Sequence, residues 1–167
     1  RDRNSGKLLK VTSDKVDVGR MAIGQDQLAV TPLQMAEVAQ TIGNGGVRME
    51  PYIVDSAYDA DGRRTYHHDP QEAERVISST SAATMKTMMQ QVVREGTGTA
   101  AALSGVDLAG KTGTAEIDPA RGINDLWFIG FTDDHAVAVV LEKVQGGTGG
   151  PVAGPIAKAV LEALGDG

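Results

Sequence analysis

The sequence predicts an α+β fold, with an antiparallel sheet flanked by helices. Three observations carry this reading. Apolar residues recur at helical spacing after residues 31, 81 and 155; three extended apolar segments follow one another between residues 106 and 142; and the order is helices, neighbouring strands, closing helix. With 167 residues there is room for about one domain and a modest core. No internal repeat or low-complexity tract interrupts it.

The first helix starts at Thr31-Pro32, a hydroxyl N-cap followed by proline at the first helical position, where a missing N–H costs nothing. Met35, Val38, Ala39 and Ile42 form its stripe, and Gly43-Asn44-Gly45-Gly46 ends it. Residues 47–54 are extended, and Asp61-Gly62 marks the turn of a polar, exposed hairpin. The second helix follows Ser78-Ser79-Thr80-Ser81. Its stripe of Met85, Met88, Met89 and Val92 reads as core, with Gly96 as the C-terminal cap. The strands are 106–115, 126–131 and 136–142. The last is apolar at every position from Ala136 to Leu141, so both its faces are expected to be covered. Asp133-Asp134 supply the turn before it. The polar loop 116–125 joins the first two strands and is a place for substrate contact. Gly146-Gly147-Thr148-Gly149-Gly150 lacks the Gly-Lys-Ser/Thr ending of a phosphate loop and reads as flexible linkage. The last helix is expected near Pro155, with Ile156, Ala159, Val160 and Ala163 on its stripe.

Composition narrows the function classes. Hydrophobic residues are 41% and charged residues 23%, as in ordinary globular chains, while aromatics are only 4%, so Trp127 is read as core. A net charge of -6 without a basic block argues against a nucleic-acid surface. Without cysteine there are no disulfides, thiolate chemistry or Cys-based zinc sites. His67 and His68 are adjacent and point to opposite faces of a strand, a poor chelating pair, so no metal site is expected. The longest apolar run, Ala136 to Leu141, is far short of the ~20 residues of a membrane helix. The chain opens on Arg1-Asp2-Arg3-Asn4, with neither an initiator Met nor a signal segment, and is read as a piece of a longer polypeptide.

Chemistry concentrates at Lys111-Thr112-Gly113-Thr114, at the end of a predicted strand. Lys111 brings a positive charge, and two hydroxyls at alternate positions project from one strand face. Gly113 removes a side chain where another backbone could approach. The combination suits an anionic, extended ligand that pairs with strand-edge amides. Strict alternation puts Lys111 on the other face, so its stem must curl around the strand edge or the strand must twist. Alone, a Lys-Thr-Gly tripeptide also fits an ordinary strand end.

It does not stand alone. Ala22-Ile23-Gly24-Gln25, Val30-Thr31-Pro32-Leu33-Gln34-Met35-Ala36, Asn44-Gly45-Gly46, Gly96-Thr97-Gly98-Thr99-Ala100, Ala109-Gly110-Lys111-Thr112-Gly113-Thr114-Ala115-Glu116 and Trp127-Phe128-Ile129-Gly130-Phe131 occur in order. The set resembles the transpeptidase domain of class B penicillin-binding proteins, closest to an actinobacterial subgroup, over residues 22–131. The resemblance implies the penicillin-recognising serine transpeptidase/β-lactamase-like fold, with residues 1–167 as its C-terminal part, incomplete without an N-terminal portion. It implies a D,D-transpeptidase or carboxypeptidase that acts on the D-Ala-D-Ala end of peptidoglycan stem peptides through a serine acyl-enzyme and binds β-lactams. Lys111 and Thr114 would be catalytic, Lys111 positioning the polar network and Thr114 N–H serving as an oxyanion donor. Thr112, Gly113, Thr114 and Glu116 would bind substrate, the two hydroxyls on its carboxylate; Glu116 also reads as a solvated strand-end acid. No metal or organic cofactor is implied, because acyl transfer through a serine needs neither. The family further implies cell-wall work in cell shape and division, on the extracytoplasmic face of a membrane, from an N-terminal anchor and often beside a polytopic glycan polymerase.

One departure matters. Serines stand at 5, 13, 56, 78, 79, 81 and 104, and none has Lys three positions later or Asn two positions later. The nucleophile, its activating lysine and the second serine motif are therefore missing from this chain. Either the missing part lies N-terminal to Arg1 or the chain descends from a non-catalytic relative; the intact stretch from Lys111 to Glu116 favours the first. A β-lactam sensor or β-lactamase shares Lys-Thr-Gly, but the Thr31-Pro32-Leu33-Gln34 helix start favours the transpeptidase. A non-catalytic cell-surface binding module is the other alternative.

Overall fold

The computed structural model describes residues 7, 10, 12–14, 16–25 and 28–165; Arg1-Asp2-Arg3-Asn4 and Ser5, considered above, lie outside the described residues. In chain order come α1 (Val18–Ala22), α2 (Pro32–Gly43), β1 (Val47–Met49), β2 (Ser56–Tyr58), β3 (Arg64–His67), β4 (Glu72–Arg75), α3 (Ser79–Arg94), a 3₁₀ turn (Thr99–Ala101), β5 (Ala109–Asp118), β6 (Ile123–Phe131), β7 (Ala136–Gln145) and α4 (Gly149–Leu164). The α+β expectation holds.

β5, β6 and β7 form an antiparallel sheet in that order. Lys111 lies opposite Ile129, Gly113 opposite Trp127, Thr112 opposite Phe128 and Thr114 opposite Leu126. Opposed residues share a face, so the two sides of the sheet have different jobs. Phe128 packs with Val93 of α3 and with Ala153, Ala157 and Leu161 of α4. Ile129 and Phe131 on the other side pack with Ala39 of α2 and Met89 of α3. Both phenylalanines, Leu126 and Leu161 are fully buried, each worth about 1.5–3 kcal/mol of apolar transfer.

Local signals place the helices. At α2, Thr31 Oγ1 accepts from the Gln34 N–H at 3.2 Å and Gln34 Oε1 accepts from the Thr31 N–H at 2.9 Å, a reciprocal cap. Ser78 caps α3 by accepting from the Ser81 N–H at 3.0 Å. The exposed hairpin forms where expected: β2 pairs with β3, and Gly62 takes φ +77° in the turn.

Several expectations need correction. The segment 47–54 yields only the three-residue β1, which pairs with the unforeseen β4. β4 is Glu-Ala-Glu-Arg, a composition with no strand signal; tertiary pairing decides it. The loop 116–125 shrinks to residues 119–122, because β5 runs to Asp118 and β6 starts at Ile123. On α3 only Met89 of the methionine stripe is core; Met85 and Met88 are exposed. On α2, Val38 is exposed as well. Strand 136–141 has Val137 buried, residues 138–141 partly covered and Ala136 exposed, with α2 packing on β7 as well as α4.

The largest revision concerns α4. It begins at Gly149, not near Pro155, and buries Gly149, Gly150, Ala153, Gly154, Ala157 and Leu161. The expected stripe is the outer face: Ile156 and Val160 are exposed. Nor are Gly149 and Gly150 flexible linkage. A Cβ on Gly149 would lie 2.2 Å from the Trp127 carbonyl oxygen and 2.3 Å from that of Gly113; one on Gly150 would lie 1.9 Å from the Thr97 carbonyl oxygen. Glycine is needed because the helix starts directly on the backbone of β5 and β6.

Candidate active site at the outer edge of β5

β5 is the end strand of its sheet among the described residues, and the even-numbered residues from 112 to 116 aim backbone groups outward. Three contacts show it: Lys111 Nζ donates to the Thr112 carbonyl, Gln25 Nε2 to the Thr114 carbonyl at 3.1 Å, and the Glu116 N–H to Gln25 Oε1 at 3.2 Å. The N–H and C=O of one strand residue point the same way, so the Thr114 N–H also faces this edge.

The lysine and the two threonines leave the strand on opposite faces. Lys111 shares the α2 side with Ile129, and its stem curls back over the edge to reach Thr112 O. Thr112 and Thr114 stand on the α4 side. Thr112 Oγ1 lies 2.7 Å from Thr97 Oγ1, and Thr114 Oγ1 accepts from the Gly149 N–H at 3.4 Å. Gly113 is held bare from two directions. A Cβ there would lie 3.1 Å from Trp127 Cβ on one face, while Gly149 presses on its backbone from the other. The first turn of the 16-residue α4 thus abuts the Lys111–Thr114 stretch and adds the positive end of its dipole to the lysine charge.

The edge borders an open cleft of about 570 Å³, lined by Lys111, Thr114, Glu116, Gln25, Met35 and Trp127 among others. Trp127 is half-buried and belongs to this wall, not to either core cluster, which corrects its sequence reading. Glu116, Asp125 and Glu142 also line it, so the cleft grades from cationic near Lys111 to acidic beyond Glu116. The Glu116 carboxylate meets the Arg20 guanidinium at 3.5 Å, both about half-exposed, a contact worth at most about 1 kcal/mol. A larger hollow of about 740 Å³, at the other end of the strands, is lined by Asp107, Asp133 and Asp134. Asp107 pairs with Arg94 and Asp133 with Lys86, each at 2.9 Å, and no hydroxyl pair or strand edge accompanies them.

The structure therefore brings Lys111, Thr112, Gly113 and Thr114 to one edge, with Glu116 one step further along. Sequence reasoning did not single out Thr97 or Gln25 as site residues. Thr97 lies in the Gly96-Thr97-Gly98 loop, and its family-like wording was the available signal. Gln25 follows Gly24, whose φ of +79° turns the chain out of α1.

Chemically, the arrangement is a cation, two adjacent hydroxyls and an outward backbone N–H on a strand edge beside an accessible cleft. It can hold a carboxylate and the backbone of an extended ligand, and it can offer a donor to a developing oxyanion.

Known proteins resemble the chain over most of its length. Residues 2–162 match the penicillin binding protein transpeptidase domain. The peptidoglycan D,D-transpeptidase PbpA of Mycolicibacterium smegmatis is 38% identical over 162 residues, covering 90% of this chain and 32% of that protein. Penicillin-binding protein A of Mycobacterium tuberculosis, solved as its penicillin G acyl-enzyme complex, superposes with a TM-score of 0.76 at 36% identity, covering 87% of this chain and 34% of that one. The D,D-transpeptidase domain of a peptidoglycan glycosyltransferase from Eggerthella lenta gives 0.68 at 40% identity, covering 81% and 33%. The chain thus spans about a third of the length of these relatives. With the family match running through nearly every described residue and the Lys-Thr-Gly strand at the edge of an open cleft, the chain belongs to the transpeptidase-domain family of penicillin-binding proteins.

Proposed function

We propose that residues 1–167 are the C-terminal part of a peptidoglycan D,D-transpeptidase domain, completed by a serine-bearing segment N-terminal to Arg1. The observation that carries this is the β5 edge: Lys111 on the Thr112 carbonyl, the hydroxyls of Thr112 and Thr114 on one face, and the Thr114 N–H facing the cleft. The family match and the acyl-enzyme complex of the tuberculosis homologue support it.

In this reading the D-Ala-D-Ala end of a stem peptide lies extended along β5. Its terminal carboxylate is held by Lys111 and the hydroxyls of Thr112 and Thr114; Gly113 leaves room for its backbone. The serine oxygen of the upstream segment adds to the penultimate D-Ala carbonyl, and the Thr114 N–H donates to the oxyanion. Such donors contribute about 10²–10³ in rate in other acyl-transfer enzymes. The terminal D-Ala leaves, and the amine of a second stem peptide takes the acyl group. Glu116 contacts the part of the peptide that runs toward the acidic end of the cleft. No described helix is long and apolar enough to cross a membrane; an N-terminal anchor would hold the enzyme on the extracytoplasmic face, beside a membrane glycan polymerase.

The test is acylation of the polypeptide that joins this chain to its preceding segment, followed through deacylation. Covalent labelling by penicillin G with release over many minutes or longer is expected. Rapid turnover of the penicillin indicates a β-lactamase, and no covalent labelling indicates a non-catalytic binding module.

A further inference from the structure

Gln25 does something the transpeptidase reading does not require. Its side-chain carboxamide donates to the Thr114 carbonyl at 3.1 Å and accepts from the Glu116 N–H at 3.2 Å. A carbonyl of one residue and an N–H two residues on are the pair that one residue of an added parallel strand engages. The carboxamide has the donor and acceptor of a peptide unit, and it sits where a peptide would sit.

The residue is delivered there by a small built device. The Gln25 N–H donates to the Arg20 carbonyl at 3.0 Å, and the Gly24 N–H to that of Met21 at 3.0 Å, folding the chain back over the end of α1. Gly24 takes φ +79° in this turn, a conformation that side chains resist. Arg20 reaches Glu116 at 3.5 Å, so the turn touches β5 beside the carboxamide contacts. Gln25 is half-buried and lines the same cleft as Lys111 and Thr114.

We infer that Gln25 is a specificity-determining clip: it holds the β5 edge beside Ala115 in the ligand-free site, and a ligand that pairs with the Thr114 carbonyl must displace it. A ligand that uses only the Thr112 side and the Thr114 N–H leaves it in place. The clip therefore taxes ligands that place an amide N–H against the Thr114 carbonyl, and spares those without one. This rests on the proposed transpeptidase site.

The test compares two β-lactams on the polypeptide that joins this chain to its serine-bearing segment. Penicillin G carries a side-chain amide next to its reactive ring; imipenem carries a hydroxyethyl group there. The quantity read is the ratio of their second-order acylation constants, penicillin G over imipenem. Gln25→Ala is expected to raise this ratio roughly threefold to tenfold, the span of one ordinary hydrogen bond. Gln25→Met, which keeps the length but neither donates nor accepts strongly, is expected to do the same and decides the matter if the alanine variant does not fold. A ratio unchanged or lowered in folded variants overturns the clip while leaving the transpeptidase reading intact. If the parent polypeptide is not acylated at all, that reading fails and the clip falls with it.

Discussion

Lys111 sits on an edge strand with its stem exposed and its ammonium on the Thr112 carbonyl, so its charge is available without being part of the core. Lys111→Ala is expected to slow penicillin acylation of the completed domain roughly 10- to 150-fold, the worth of a charge-assisted hydrogen bond. Its unfolding free energy should change by less than about 0.5 kcal/mol, as for most exposed positions. Stopped-flow acylation and a denaturant melt check the two halves. Thr97 acts one residue removed. When the Thr112 hydroxyl gives its single proton to a carboxylate, the Thr97 hydroxyl, 2.7 Å away, must donate in turn to Thr112 Oγ1. Thr97→Val should therefore slow acylation about threefold to tenfold, and Thr97→Ser should restore it; equal rates in all three would remove Thr97 from the network. Lys111, Thr112 and Thr114 were legible because they lie within four consecutive residues and alternate as a strand must. Thr97 and Gln25 were not, because their contacts span 15 and 89 residues and no local period encodes them.

α4 shows what a helical stripe can and cannot tell. Its sequence carries apolar residues on both sides, Ile156, Ala159, Val160 and Ala163 on one and Ala153, Ala157 and Leu161 on the other. Period alone leaves two faces to choose from, and the larger residues favour the wrong one. The sheet selects the smaller set, since Gly149, Gly150 and Gly154 let the helix lie directly on β5, β6 and the 3₁₀ turn. Leu161→Ala is accordingly expected to cost about 2–5 kcal/mol, and Ile156→Ala less than about 1 kcal/mol. Chemical denaturation of both variants measures the contrast; equal losses would mean that the outer face is packed after all. Gly150→Ala brings a methyl into the Thr97 carbonyl and should cost about 1–3 kcal/mol. It should also disturb the Thr97–Thr112 pair, visible as slower acylation in molecules that remain folded. α2 and the sheet were easier to foresee, because a proline, a hydroxyl cap and a glycine stop bound the first, and three successive extended segments, the last an unbroken apolar run rich in valine, mark the second.

At the scale of the whole molecule, α2 and α4 pack on opposite faces of the sheet, its β5 edge meets the Gln25 carboxamide, and in the proposed reading that edge holds the ligand. Leu33 and Val38 of α2 and Met85 and Met88 of α3 are exposed. In the proposed transpeptidase the upstream segment brings the serine to face Lys111 and Thr114. The family could be read from the sequence because its wording is spread over six ordered segments; the nucleophile could not, because no serine here has its motif. The most direct measurement is peptide mapping by mass spectrometry after penicillin G labels the polypeptide that joins this chain to its preceding segment. A penicilloyl adduct is expected on a single serine N-terminal to Arg1 and none within residues 1–167. An adduct on any of the seven serines inside those residues, or no adduct at all, would contradict this expectation.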